Sequence, residues 1–171
     1  MNTDPRPATL ADIDELIRLR GFLLDTGAGH YVSPDPAAGR VWRDSYRNWL
    51  HTHLETSEQI YVGTIGSPQR LSACAIAVID NRAPTHAYPN GKVGWVQTVV
   101  VDPVRRGEGL GKAVVHHVLD WLSGAGVRES VLQTTPSGTG LYYRLGFQPS
   151  GEDLLFKQLG GSTGLTGPQP L

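Results

Sequence analysis

Arg106-Gly107-Glu108-Gly109-Leu110-Gly111, with Arg105 in front and Lys112 behind, sets three glycines among three cationic side chains. The segment lies where a β-rich run, Val93 to Val101, passes through Asp102-Pro103 into a helical pattern beginning at Leu110. That placement has chemical meaning. The first turn of a helix carries backbone N–H groups without intrahelical partners and a partial positive charge. Glycines remove the Cβ atoms that would hold a pyrophosphate away from those groups, and Arg105, Arg106 and Lys112 add charge at the same place. The segment reads as an anion site. The plainer alternative is a tight turn that only packs helix against strand.

Two common phosphate motifs fail on spacing. A P-loop needs G-x-x-x-x-G-K-[ST], but Arg106 stands where its first glycine belongs and Ala113 follows Lys112. The dinucleotide fingerprint G-x-G-x-x-G, begun at Gly107 and Gly109, needs glycine where Lys112 stands.

The elements that must position this turn follow from periodicity. Arg6-Pro7-Ala8 predicts a short edge strand, and Thr9 to Asp12 has capping-box spacing with Asp in place of Glu. Leu10, Ile13, Leu16, Ile17 and Leu24 recur at helical spacing, and Gly27 and Gly29 are expected to end that helix. Ser33-Pro34-Asp35-Pro36 marks a loop before a second helix carrying Val41, Trp42, Tyr46, Trp49 and Leu50. Ile60–Val62 and Leu71–Ile79 predict two strands joined at Gly66-Ser67-Pro68, and Val93–Val101 a third. From Leu110 to Leu122 an apolar stripe predicts a helix with Lys112, His116 and Asp120 on its other side. Ser130–Gln133, Gly140–Leu145 and Leu154–Phe156 predict a strand, a helix and a last strand, with Gly146 as a left-handed stop. The expected fold class is α/β, a central mixed, largely antiparallel twisted sheet flanked by helices, over residues 1–159. Residues 160–171, rich in Gly, Ser, Thr and Pro, are expected to be a flexible tail.

The glycine turn also fits R-x-x-G-x-G through Arg106, Gly109 and Gly111. Downstream, Leu141-Tyr142-Tyr143-Arg144-Leu145-Gly146-Phe147 fits L-Y-x-[KR]-L-G-F. With these two motifs in this order, the chain resembles the GNAT superfamily of GCN5-related N-acetyltransferases over nearly all of its length except the tail. The resemblance implies an acetyl-coenzyme A (acetyl-CoA) cosubstrate. The backbone of Val99 and Val101 would pair with its pantetheine arm. The N–H groups of Arg106, Gly107, Glu108, Gly109, Leu110, Gly111 and Lys112 would hold its pyrophosphate. Tyr142 falls on the family tyrosine beside the thioester sulfur, where it would protonate the leaving thiolate; packing its ring on the coenzyme is the lesser role open to it. Tyr143 would point elsewhere. Thr135 stands where many members carry asparagine, and Gly138 replaces a common alanine.

A base for the amine is not evident. The central-strand candidates Trp95, Gln97 and Thr98 are not bases near neutral pH, so water relayed by a more distant group, with His86, Asp80 and Asp153 as candidates, stands level with a direct base. His51 and His53 read as a solvated pair rather than a metal site, His116 and His117 as surface residues, and Cys74 as a small core residue. The stripe of Trp42, Tyr46 and Trp49 reads first as core.

Fifteen Lys+Arg against sixteen Asp+Glu leave a net charge of -1, so the basic excess of a general nucleic-acid binder is missing. With a single cysteine there is no intrachain disulfide framework. The start predicts no signal-type segment and no run is long enough to span a bilayer, so a cytoplasmic protein is expected. The resulting expectation is an N-acetyltransferase moving acetyl to a primary amine of a small molecule. It needs no metal and no nucleic-acid or membrane partner, and it leaves a homodimer open. A peptide or protein amine as acceptor, an inactive coenzyme-binding regulator, and a module binding another phosphate ligand are the alternatives.

Overall fold

The computed structural model describes residues 3–24, 36–151, 154, 155, 157 and 159. The expected helix stop at Gly27 and Gly29, the loop from Ser33 to Asp35, Asp153, Phe156 and the tail from 160 to 171 lie outside them. The described chain runs β1 (Pro5–Pro7), α1 (Ile13–Leu24), α2 (Pro36–His53), β2 (Ile60–Ser67), β3 (Arg70–Asn81), β4 (Lys92–Val101), α3 (Leu110–Gly124), β5 (Ser130–Val131) and α4 (Thr139–Arg144). Short 3₁₀ turns at Leu10–Asp12 and Pro103–Arg105 lead into α1 and toward α3. The five strands lie in sheet order β1-β2-β3-β4-β5. Every pairing is antiparallel except the parallel one between β4 and β5. This is the mixed α/β sheet expected from the periodicity.

Alternation along β3 builds both halves of the core. Cys74 and Ile76 face a cluster with Leu16, Leu19, Tyr46 and Leu50 of α1 and α2. Ala73, Ala75, Ala77 and Ile79 face Val114, Val118 and Leu122 of α3. The alanines bring α3 close to the sheet. Gly94 of β4 completes that fit, since a Cβ there would stand 2.8 Å from Leu122 Cδ1.

The sequence reading departs from the fold in a few places. Leu10 and Val41 are exposed although they follow the apolar stripes, and Leu19 is buried in their stead. His116 is exposed as expected, but His117 of α3 is partly buried against β2, its Nε2 2.6 Å from Tyr61 Oη, and Tyr61 in turn stacks on Trp121. Burial lowers the His117 pKa, with Asp120 opposing. The strand expected at Leu154–Phe156 is not formed at Leu154 and Leu155, which are exposed and lie in no strand.

The capping-box spacing at Thr9 holds through Asp12, whose Oδ2 accepts from the Thr9 N–H at 2.8 Å. Its fully buried carboxylate also takes a two-pronged pair from Arg6 of β1, at 2.8 and 2.7 Å. This pair ties the edge strand to the entrance of α1. Burial alone would raise the Asp12 pKa; the hydrogen bonds and charge of Arg6 and the N–H of Thr9 outweigh it and hold the carboxyl below its usual value. A depressed carboxyl contributes stability above its unfolded pKa and loses it as pH falls through the folded one. Asp12→Asn should therefore destabilise at pH 7, at or below the lower end of the about 3–5 kcal/mol for a broken buried pair, because Arg6 is partly exposed. Urea melts should show the gap to wild type closing below about pH 4.

Candidate active site

The sheet opens between its last two strands. β5 pairs with β4 only through Gly94↔Ser130 and Trp95↔Val131, so from Val96 to Val101 that edge of β4 has no strand beside it among the described residues. Such an edge leaves N–H and C=O groups for an extended ligand. Val99 and Val101, the predicted pantetheine partners, lie on this stretch. Both are partly buried against the α3-side core.

Within the same stretch β4 carries a bulge. Cys74 pairs with Val100 but Ile76 with Gln97, so β4 spends one residue more than β3 over that interval. The extra residue lets Val96 and Val99 face α3 while Val100 joins the opposite core. Thr98 sits in the bulge at φ 53°, left-handed backbone that a β-branched residue rarely adopts. Holding it there costs of order 1–3 kcal/mol. No feature of the sequence announces the bulge.

The turn after β4 is anchored from behind. Asp102 is 2% exposed and caps the 3₁₀ turn by accepting from the Val104 N–H at 3.2 Å. It also receives Arg18 of α1 at 2.9 Å and Arg70 of β3 at 3.2 Å. Arg18 in turn donates to Glu15 and to the carbonyl of Leu71. Sequence reasoning missed this network, because its members come from three separate elements.

Gly107 and Gly109 have φ of 85° and 78°, so the turn itself demands glycine. A Cβ at either would meet nothing within 4 Å, which leaves the face of the turn open. The N–H of Ala113 reaches back to the carbonyl of Gly109 at 3.1 Å. The N–H groups of Leu110, Gly111 and Lys112 are thus the unpaired ones of the first turn. Arg106 and Lys112 are exposed here. Arg105 is not available to an anion as the sequence reading had it: its guanidinium grips Glu108 at 2.6 Å and Ser72 Oγ at 3.1 Å. Glu108 is bound to that pairing, which lowers its pKa.

The second motif docks beside the first. A Cβ on Gly111 would lie 3.4 Å from both Leu141 Cδ2 of α4 and Val101 Cγ2 of β4, so the three elements meet at this point. The helix then ends in a Schellman motif. The N–H of Phe147 donates to Tyr142 O at 3.0 Å and that of Gly146 to Tyr143 O at 3.1 Å, with Gly146 at φ 87°. Phe147 folds back edge-on to the Tyr142 ring, centroids 5.8 Å apart. Leu-Gly-Phe is therefore the device that holds Tyr142. Tyr142 is partly buried and burial raises its pKa, while Tyr143 is 57% exposed. At Gly138, which replaces a common alanine, a Cβ would stand 2.7 Å from Thr134 Oγ1.

The remaining candidates are not brought into this cluster. Gln97 is exposed, Asp80 is held by Arg82 at 2.7 Å, and His86 lies exposed in the loop between β3 and β4. His51 is exposed, and His53 packs against Trp49 with ring centroids 4.9 Å apart. Among the described residues no group of three His, Cys, Asp or Glu could hold a metal, and no helix is long and apolar enough to cross a membrane.

The model of the acetyltransferase (GNAT) family matches residues 29–147. This chain belongs to the GNAT family. It is accordingly an acetyl-CoA-dependent N-acetyltransferase. Among its relatives, glucosamine 6-phosphate N-acetyltransferase 1 of Oryza sativa subsp. japonica is 31% identical over 144 residues, covering 83% of this chain and 79% of that protein. Among solved structures, a GCN5-related N-acetyltransferase from Ralstonia eutropha JMP134 superposes with a TM-score of 0.76 at 23% identity, covering 92% and 99% of the two chains. A predicted acetyltransferase from Clostridium acetobutylicum, solved with acetyl-CoA, gives a TM-score of 0.66 at 20% identity over 90% of this chain and 95% of the other. These structures share the GNAT fold.

If Asp102 anchors the turn, Asp102→Ala should lower unfolding free energy by about 3 kcal/mol, the cost of stranding buried partners. Arg105→Gln, which breaks the more exposed pair with Glu108, should leave the urea midpoint nearly unchanged.

Proposed function

We propose that the protein transfers acetyl from acetyl-CoA to a primary amine of a small molecule, by direct attack in a ternary complex. The observation that supports this reading is the continuous path from the unpaired edge of β4 into the glycine turn at the N-terminus of α3, where α4, the helix that carries Tyr142, packs through Leu141 on Gly111. The pantetheine arm would add to the sheet through the backbone of Val99 and Val101. The backbone from Arg106 through Gly107, Glu108, Gly109, Leu110 and Gly111 to Lys112 would take the pyrophosphate, helped by the charges of Arg106 and Lys112. The rice relative is named for an amino-sugar phosphate, which supports a small-molecule amine and puts amino sugars first in an acceptor panel.

In the reaction, the amine nitrogen bonds to the thioester carbon and the C=O pair moves onto oxygen. Collapse of that intermediate breaks the C–S bond and expels the thiolate. The thiolate takes the Tyr142 hydroxyl proton, and the proton released by the attacking nitrogen returns through water to the tyrosine, leaving a neutral amide and the free coenzyme thiol. Orienting two bound substrates lowers the barrier by roughly 7–11 kcal/mol. No base is required on β4 itself, and none of its residues near the opening is one.

Gly111→Val tests the anion site: its backbone is not left-handed, but a Cβ there meets Leu141 Cδ2 and Val101 Cγ2 at 3.4 Å, so the added branches must crowd the turn and its junction with α4. Coenzyme affinity by calorimetry should fall at least tenfold while the protein stays folded; unchanged affinity removes the pyrophosphate assignment. Arg106→Ala should weaken binding more at low salt than at high salt.

Tyr142→Phe keeps the ring on Phe147 and removes the proton. Turnover should fall by about 10²-fold, the lower end for general acid catalysis, with KM for acetyl-CoA little changed. Tyr143→Phe should do little, and equal small effects would reduce Tyr142 to packing. Because burial raises its pKa, Tyr142 stays protonated, and kcat should show no alkaline fall below about pH 10.

A further inference from the structure

Arg20 projects from α1 toward the bulge of β4. Its Nη1 lies 2.5 Å from Thr98 Oγ1, and its guanidinium carbon sits 4.6 Å over the ring of Tyr46 from α2. On the same face of the sheet, in the core shared with Tyr46, Cys74 Sγ is 3.9 Å from the Thr98 carbonyl oxygen. The residue held in left-handed backbone is thus gripped by its side chain from the helix layer and by its carbonyl from β3. Tyr46 and Cys74 are themselves buried and neutral. Burial pushes the Tyr46 hydroxyl well above its usual range and the Cys74 thiol up to about 12.

The location gives the grip its meaning. Thr98 lies just past the last pairing of β4 with β5, on the edge where the acetyl group would enter. A main-chain N–H there would face the developing oxyanion, and a donor displaced by about 1 Å can cost about 10²-fold in rate. We propose that Arg20 is a positioning residue: by holding Thr98 Oγ1 from α1 it keeps the β4 bulge in its left-handed form and so aims the backbone donor of the thioester oxyanion. This rests on the acetyl-transfer reading above. Arg20 acts through Thr98 and touches no reacting atom.

Glycine adopts positive φ without help, so Thr98→Gly should make Arg20 dispensable. Steady-state kinetics of Arg20→Met should show kcat reduced about 10- to 100-fold, with KM and calorimetric Kd for acetyl-CoA within about threefold. In the double variant with Thr98→Gly, kcat should return to within about threefold of Thr98→Gly alone, a strongly non-additive pair. Arg20→Lys, which retains a donor, should fall between. Independent, multiplying effects would overturn the proposal, as would a loss in Arg20→Met confined to the acceptor KM. If Arg20→Met alone does not fold, a folded double variant with low kcat overturns it equally.

Hydrogen exchange of the amides from 97 to 100 gives a readout that needs no acceptor. It should speed up about tenfold or more in Arg20→Met and return in the double variant to the Thr98→Gly rate. Unchanged exchange overturns the proposal. A wild-type protein that binds acetyl-CoA but acetylates no amine removes the acetyl-transfer reading instead, and leaves the exchange data to decide whether Arg20 holds the bulge.

Discussion

A strand packed into cores on both faces carries backbone groups along its edges, and those groups need partners. In this protein β4 satisfies that requirement toward β3 along most of its length, but toward β5 only at Gly94 and Trp95. Buried main-chain N–H and C=O groups rarely stay unpaired, so an opening of this kind requires water or a ligand in the gap. The proposed acceptance of an extended thioester would follow from that one constraint. The sheet is short of a strand where the coenzyme would supply one.

The rest of the molecule keeps the gap at a fixed width and direction. Alanines on one face of β3, with Gly94 on β4, draw α3 close, and this brings its N-terminus to the end of the opening. Asp102, clamped by Arg18 and Arg70, fixes the point where strand becomes turn. Leu141 meets Gly111 and carries Tyr142 to the same corner, where a helix stop at Gly146 and the Phe147 ring hold it. Apart from the local stop at Gly146 and Phe147, these contacts join separate elements, so the site is held through packing rather than through its own loop.

Much of this was legible in the residues, and for stated reasons. The glycine turn could be read because only glycine serves positive φ at Gly107 and Gly109 and open approach to a helix N-terminus. Gly146 could be read as a helix stop, although the link from Phe147 back to Tyr142 emerged only from the hydrogen bonds. What could not be read were features set by partners across the fold. Arg105 looks like a free cation in a row, but Glu108 and Ser72 consume it. His117 shares the polar side of a helical wheel, yet Tyr61 from β2 reaches over to it. Val93–Val101 reads as a straight strand, while the one-residue excess at Thr98 depends on register against β3. Burial of Leu19 rather than Leu10 shows the same limit: helical spacing gives a stripe, and the neighbouring helix decides its exact edge.

Amide hydrogen exchange with and without acetyl-CoA tests the coenzyme's path most directly. The account predicts slowed exchange at Val99 and Val101, where the pantetheine arm would join the sheet, and from Gly107 to Lys112, where the pyrophosphate would lie, with little change in β1 and β2. Protection that spares both β4 beyond Trp95 and the glycine turn, or that appears instead around the β3–β4 loop, would contradict it.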